Sequence, residues 1–454
     1  MADDLQTSAP NTGSPSTGSP TTGSLDTRSD EAGRLATAAV LGALAGTPDA
    51  DENEDQFELF NRVTGAGSVR DPYPEFAAQR SEAPVQPLDL RAEYGIPADM
   101  EIDLPPAFRV LGYDEVLTVL RDGETFSSSG YAMSMGEVMG HSILEMDEPE
   151  HHSYRALVQQ AFTRKAMQRW EADLVGPIVN GFIDEFASRK HADLVRELTF
   201  PFPVHVIAGM LGLPREDLPR FHRWAVEIIS IGADWDLAVR ASGNLRDYFA
   251  GILEERRRAP ADDVISVLAG AELDGQHLTD EDIFAFLRLL LPAGAETTYR
   301  SSSNLIFGLL SRPEQLEAVR DDRSLVPQAI EEGLRWEPPL TGIMRTTSRE
   351  VELGGVQLPS GAMLSVTLGA ANHDDARWQE PDRFDLFRDP QQHMAFAFGP
   401  HMCLGIHLAR METTVVLNAV LDRLPGLRLD PDADDVHITG MAFRSPAALP
   451  VLFD

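Results

Sequence analysis

Cys403 is the only cysteine in 454 residues. It excludes an intramolecular disulfide and any zinc site built on cysteine pairs. Packing alone therefore has to hold the fold, and with 43% hydrophobic residues the chain can build the core this needs. Nothing in the cysteine usage asks for an oxidising compartment. The thiol sits in Phe396-Ala397-Phe398-Gly399-Pro400-His401-Met402-Cys403-Leu404-Gly405, and a helical pattern runs from 406 to 424. A thiol at a helix N-terminus lies among free backbone N–H groups that stabilise its thiolate, the form that binds metal. The plain alternative is an inert, buried cysteine acting as a small hydrophobe.

The surroundings favour the first reading. The loop resembles the haem-binding loop of the cytochrome P-450 superfamily, F-G-x-G-x-[RH]-x-C-x-G, on which Phe396, Gly399, His401, Cys403 and Gly405 fall. Ala397 stands where that pattern has glycine, so the turn has to accept a Cβ. The resemblance extends over residues 56–454 and implies a P-450 fold, mainly α with small β-sheets. It also implies haem b (iron protoporphyrin IX) with Cys403 as the axial iron ligand and Phe396, Gly399 and His401 in the cofactor loop.

Three further motifs lie upstream in order. In the segment 147–155, Pro149 and its acidic neighbours mark a helix start, and His151 and Arg155 share one face at i,i+4. Alone this reads as a solvated helix face; the resemblance implies that both residues bind a haem propionate. From His151 to Trp170 there is no acidic residue, while Arg164, Lys165 and Arg169 add positive charge.

A long apolar helix opens at Thr279, with Asp282 at the capping-box position and Leu278 and Ile283 as a hydrophobic staple. It meets Pro292-Ala293-Gly294-Ala295-Glu296-Thr297-Thr298. A proline inside a helix removes a backbone hydrogen bond and costs about 3 kcal/mol. A carboxylate and hydroxyls at such a defect read as a functional site more readily than as packing. The bland alternative is a kinked core helix in which Thr297 bonds back to a carbonyl. The resemblance makes this the oxygen-activation segment: Ala293 lies against the haem, Thr297 hydrogen-bonds the activated oxygen, and Glu296 feeds protons with water.

Glu332 and Arg335 are i,i+3 on a helix ended by Pro338 and Pro339. By spacing alone this is a surface pair worth a few tenths of a kcal/mol. The resemblance implies a buried structural triad completed by Arg383, and it gives Arg345 a propionate.

Elsewhere, 108–111 reads as a strand, 113–121 as a helix, and 126–136 as a loop that the resemblance places over the substrate pocket. Segments 165–270 read as helices with breaks at 212–214 and 259–260; the resemblance implies that residues 228–236 join two mobile helices above the pocket. Segments 341–347, 351–353, 362–368 and 427–452 read as β, the last with a tight turn near Gly440. Residues 1–55 form a low-complexity and acidic extension, with a short amphipathic stretch at 35–46, and the domain itself is 56–454.

The net charge of −34 argues against nucleic acid and anionic membrane as partners. The 35–46 run is too short to span a bilayer, and a cytoplasmic, monomeric protein is expected. The resemblance implies a monooxygenase inserting one atom of O2 into a hydrophobic small molecule (terpenoid, steroid or fatty-acid-like). Electrons come from an external ferredoxin and its reductase, since the chain has no flavin or iron–sulfur motif. Its expected pocket wall is Met133, Ile143, Leu290, Ala293, Leu340, Ile343, Met344, Met441 and Phe443. Oxidative coupling, peroxide-driven oxidation and a non-catalytic haem sensor remain as alternatives.

Overall fold

A computed structural model describes residues 57, 69–93, 96–100, 103–229 and 234–454. The extension at 1–55, the 35–46 run and the link at 230–233 lie outside the described residues. The helices that place the site are α1 (Tyr113–Arg121), α2 (Gly130–Met139), α3 (Glu150–Val158) and α4 (Arg164–Trp170). They continue with α5 (Pro201–Met210), α6 (Leu218–Ile229) and α7 (Trp235–Arg258). The last four are α8 (Asp280–Leu291), α9 (Thr297–Leu310), α10 (Val326–Trp336) and α11 (Ile406–Arg423). No helix among the described residues is long and apolar enough to cross a membrane.

The molecule is organised around α8 and α9. The expected capping box opens α8: the Thr279 N–H donates to Asp282 Oδ2 at 2.8 Å, and the Asp282 N–H donates to Thr279 Oγ1 at 3.2 Å. From Ile283 to Leu291 every side chain is buried, including Arg288. A helix surrounded on all sides has to be apolar all round, and Arg288 is accommodated by donating to the Phe284 carbonyl and to Ser242 Oγ. Pro292 has no N–H to continue the ladder. The chain answers with a π-turn over Pro292–Glu296 before α9 resumes. Buried polar groups of α9 find partners too, as when Asn304 Nδ2 donates to the carbonyls of Glu337 and Arg444, both at 3.0 Å.

A five-stranded sheet flanks this helical body. Its strands are β1 (Val85–Pro87), β2 (Ala107–Val110), β3 (Phe126–Ser127), β4 (Ile343–Thr347) and β5 (Met363–Val366), in the order β1-β2-β5-β4-β3. Only β5 and β2 run parallel; Leu364 faces Phe108 on one side and Arg345 on the other. Small two- and three-stranded pieces use the other expected β segments, among them Val351–Leu353 with Val356–Leu358, while Pro450–Leu452 pairs with His191–Asp193, a strand inside the stretch read as helices. Gly440 turns at φ 108°, where an added Cβ would lie 2.0 Å from the Phe443 carbonyl.

Two expectations need correction. The 126–136 segment is not a loop: after β3 it folds into α2. Its methionines and alanine favour helix more than its glycines and serines oppose it. The helix is held at both ends, where the Met344 N–H donates to Tyr131 Oη and Ser242 Oγ donates to the Val138 carbonyl. The buried triad is Glu332, Arg335 and Arg388, not Arg383. Arg335 grips Glu332 with two bonds of 2.8 Å, and Arg388 Nε reaches Glu332 Oε1 at 3.3 Å. Arg383 turns outward to Glu380 and contributes only its carbonyl, which accepts from Arg335 and Arg388.

Candidate active site

The cysteine loop is a tight reversal. The Cys403 N–H donates to the Phe396 carbonyl at 3.0 Å, and the Ala397 N–H to the Met394 carbonyl at 2.9 Å. Gly399 needs its freedom: φ is 72°, and a Cβ there would sit 2.2 Å from the Leu120 carbonyl on α1. Ala397 adopts the left-handed region at φ 55° despite its Cβ. Arg410, on α11, braces the loop by stacking 5.0 Å above the Phe396 ring while holding Glu331 with two bonds of 2.7 Å.

Cys403 lies just before α11, whose first residue is Ile406. Burial pushes its thiol up, while the Gly405 N–H, Arg155 and Arg410 pull the other way. The helix start alone therefore does not deliver the thiolate that the sequence reading expected. A cation held at the sulfur would keep this thiol deprotonated, since a coordinating thiol loses its proton.

Four basic side chains gather beside this loop. The rings of His151 and His401 stack with centroids 4.0 Å apart. Arg155, one turn along α3 from His151, sends Nη2 to the Met402 carbonyl at 2.7 Å, next to the cysteine. Arg345 is buried on β4, with Nη1 donating to the Met344 carbonyl. Burial, then Arg345, His151 and Arg155, hold His401 down to about 3, so it is neutral at pH 7. His151 is 1% exposed; Nδ1 meets Glu148, but Nε2 is buried without a partner. Among the described ion pairs none joins Arg155 or Arg345 to a carboxylate. A donor set this concentrated, with an orphaned buried nitrogen, suits an anionic group with several acceptor oxygens.

The π-turn divides the oxygen-activation motif. Ala293 is exposed and Thr297 half-exposed on one face, one turn apart. Thr297 Oγ1 donates to the Ala293 carbonyl at 2.7 Å. The single hydroxyl proton is thereby committed to the helix, and the lone pairs face outward. Glu296 lies on the other face, 2% exposed, with Oε1 accepting from Arg300 Nη2 at 3.1 Å and Nε at 3.3 Å. Its Oε2 is buried without a partner. Burial raises the Glu296 carboxyl and Arg300 opposes it.

The expected apolar wall is distributed over several elements. Met133 is 62% exposed on α2, Ile143 and Leu290 are buried, and Leu340 bridges Phe443. Ile343 and Met344 lie part-buried on β4, tied to α2 through Tyr131. Met441 packs instead on the Tyr73–Phe76 cluster.

Several contributors were not found from the sequence. Tyr131 and Ser128, whose Oγ lies 3.2 Å from His401 Nε2, fell in the segment read as loop. Arg300 could have been found, because it stands at i+4 from Glu296. His222, which adjoins Glu296 across a small cavity, carries no sequence signal at all.

A lone cysteine at the end of one loop, a basic cluster whose two arginines pair with no carboxylate among the described ion pairs, and a helix face that exposes Ala293 together match what iron protoporphyrin IX with two propionates needs. The comparisons agree. The profile of the family described as Cytochrome P450 matches residues 217–436. Cytochrome P450 107B1 of Saccharopolyspora erythraea is 36% identical over 300 residues, covering 66% of this chain and 74% of its own. The steroid C26-monooxygenase of Mycobacterium tuberculosis strain H37Rv is 34% identical over 348 residues, covering 75% of this chain and 87% of its own. The crystal structure of CYP109E1 from Bacillus megaterium in complex with testosterone superposes with a TM-score of 0.76 at 34% identity, covering 85% of this chain and 99% of that one. By these matches the chain belongs to the cytochrome P450 family and is a haem-thiolate monooxygenase.

Proposed function

We propose that the protein hydroxylates a steroid or similarly sized apolar molecule, with Cys403 as the iron ligand and electrons from a ferredoxin. The observation that carries the site assignment is the gathering of His151, Arg155, Arg345 and His401 beside the only cysteine. His151 through its orphaned Nε2, together with Arg345 and His401, would hold the propionates. Arg155 braces the Met402 carbonyl and sets positive charge beside the sulfur. Phe396 and Gly399 shape the loop, and Ala293 gives the cofactor face a small side chain.

The bound haem supplies the oxidising chemistry, with the thiolate favouring O–O cleavage. The protein's part is to position and to supply protons. Thr297, its own proton given to Ala293, presents lone pairs that orient a proton donor in the groove. Glu296 supplies protons from the opposite face of the π-turn. Met133, Leu340, Ile343, Met344 and Phe443 would make an apolar surface for the substrate. A steroid is favoured because a steroid monooxygenase and a steroid-bound structure stand among the relatives. We place the protein in the cytoplasm as a monomer with its domain at 56–454; a lone cysteine fits a reducing compartment.

The test is a panel of steroids, terpenoids and fatty acids screened for conversion of the ferric spectrum toward the high-spin form. The best binder is then turned over under 18O2 with a plant-type ferredoxin, its reductase and NADPH. One labelled atom in a steroid product supports the reading. Spin shifts confined to fatty acids replace the substrate class, and turnover sustained by hydrogen peroxide but not by ferredoxin replaces the electron source.

A further inference from the structure

On the side of the π-turn away from Thr297, α5, α6 and α9 enclose a small cavity lined by Phe200, Val204, His222, Ala225, Glu296 and Tyr299, among others. It has about 10 Å³ for water centres, close to what one water needs. The lining is apolar apart from Tyr299, whose hydroxyl is partnered by Ser445, and two places that are unusual. Glu296 Oε2 and His222 Nε2 are both buried without a hydrogen-bond partner. Buried polar atoms are satisfied as a rule, so two orphans on one water-sized cavity call for a shared partner. A water with both within reach satisfies each of them.

We propose that His222, one water in this cavity, and Glu296 form a relay that carries protons from the α5–α6 surface to the reaction site. This rests on the reading of Glu296 as the proton-supplying acid. His222 is part-exposed as a residue while its Nε2 is sealed, so it stands between the α6 surface and the cavity. Burial, with His205 adding to it, holds His222 down to about 4. At pH 7 it is therefore neutral, with one N–H and one lone pair, and passes a proton by changing tautomer. The other charged and titratable neighbours are Tyr299, whose hydroxyl meets Ser445 Oγ at 2.9 Å, His205, which leans on the Pro201 carbonyl, and Arg300, which fixes Oε1 and leaves Oε2 as the free oxygen.

The balance is simple. When the Glu296 carboxyl rotates and gives up its proton toward the Thr297 side, Oε2 returns to the cavity as a carboxylate oxygen, and the cavity water gives a proton to it while receiving one from His222 Nε2. His222 takes a proton from solvent at Nδ1 in the same step, so the ring stays neutral and ends as the Nδ1–H tautomer. One proton has moved inward, and nothing is oxidised or reduced. Each turnover of a monooxygenase takes up two protons with its two electrons, so the path is used twice, with the His222 ring turning over between uses to bring its N–H back to the cavity.

The test compares wild type, His222→Phe, His222→Gln and Glu296→Gln, all as holoenzymes. In the diamagnetic carbon-monoxide form with 15N-histidine, the His222 Nε2 resonance is assigned by its loss in His222→Phe. It should shift in Glu296→Gln; superimposable spectra would disconnect the two residues and overturn the relay. Turnover is then followed with testosterone, a plant-type ferredoxin, its reductase and NADPH. Both His222 variants should at least triple the share of NADPH electrons recovered as hydrogen peroxide, while oxidation driven by added hydrogen peroxide stays unchanged. His222→Gln keeps a polar group in the cavity, so a defect shared with His222→Phe reports proton transfer and not packing. If Glu296→Gln raises peroxide release and neither His222 variant does, the relay falls alone. If Glu296→Gln leaves it unchanged, the acid reading of Glu296 falls with it.

Discussion

Glu296 and Arg300 form an ion pair of 3.1 Å inside the central helix, four residues apart, with both side chains almost entirely buried. The pair fixes one carboxylate oxygen and leaves the other facing a cavity. It therefore decides which way the acid looks. Such a pair is weak evidence for stability, but removing one partner leaves an uncompensated buried charge.

Arg300→Met should accordingly destabilise the fold by about 3 kcal/mol if Glu296 stays ionised. It should cost less than Arg300→Met would suggest when combined with Glu296→Gln, because the double variant buries no charge. Denaturant unfolding of the two single variants and the double variant gives the coupling directly; additive losses would show that the pair is not a unit.

Glu412, on α11, accepts from Thr298 Oγ1 at 3.2 Å and is pushed by burial up to about 8, against a usual 4.5. The folded state thus holds this proton more tightly than the unfolded chain does. The site carries no penalty below about pH 4.5, costs more as pH rises from there toward 8, and levels off above 8. The total is roughly 3–5 kcal/mol. Glu412→Gln keeps an acceptor for Thr298 and removes the titration. Its melting temperature should match wild type near pH 5 and exceed it near pH 8.5; a parallel pH dependence in the two proteins would show that Glu412 is charged in the fold.

Ala397 sits at φ 55° in a position where the family pattern has glycine. Relief of left-handed strain is worth about 1 kcal/mol, less what glycine costs in the unfolded chain. Ala397→Gly should therefore leave stability equal or raise it by up to about 1 kcal/mol, without altering the haem spectrum. A drop in melting temperature would mean that the Ala397 methyl packs usefully against its neighbours.

Among the three basic residues on α4, Arg169 already pairs with Asp262 at 2.5 Å, while Arg164 and Lys165 are exposed. In a chain of net charge −34 they form a local basic spot for an acidic ferredoxin. Reversing both to glutamate should slow ferredoxin reduction several-fold at low salt and little at high salt, with dithionite reduction unchanged. Equal ferredoxin rates across a salt series would place docking elsewhere.

The sequence made the local features readable wherever one residue type has one physical meaning. Thr279 and Asp282 cap a helix, Pro292 breaks it, and Gly399 turns where no Cβ fits. It failed where tertiary partners decide. Nothing local distinguishes Arg383 from Arg388 as the residue that reaches Glu332. The glycines and serines of 130–139 hid a helix whose ends are fastened to β4 and α7. His222 belongs to the site only because α6 crosses the π-turn, and no spacing in the chain records that crossing.

The central claim is that Cys403 is the iron ligand. Its most direct measurement is the reduced carbon-monoxide difference spectrum of wild type beside Cys403→Ser. Wild type should give the red-shifted band of a thiolate-ligated haem, and Cys403→Ser should lose that band, because serine oxygen is a far weaker anionic donor. A thiolate-type band that persists in Cys403→Ser would contradict the account, since the chain has no other cysteine to supply it.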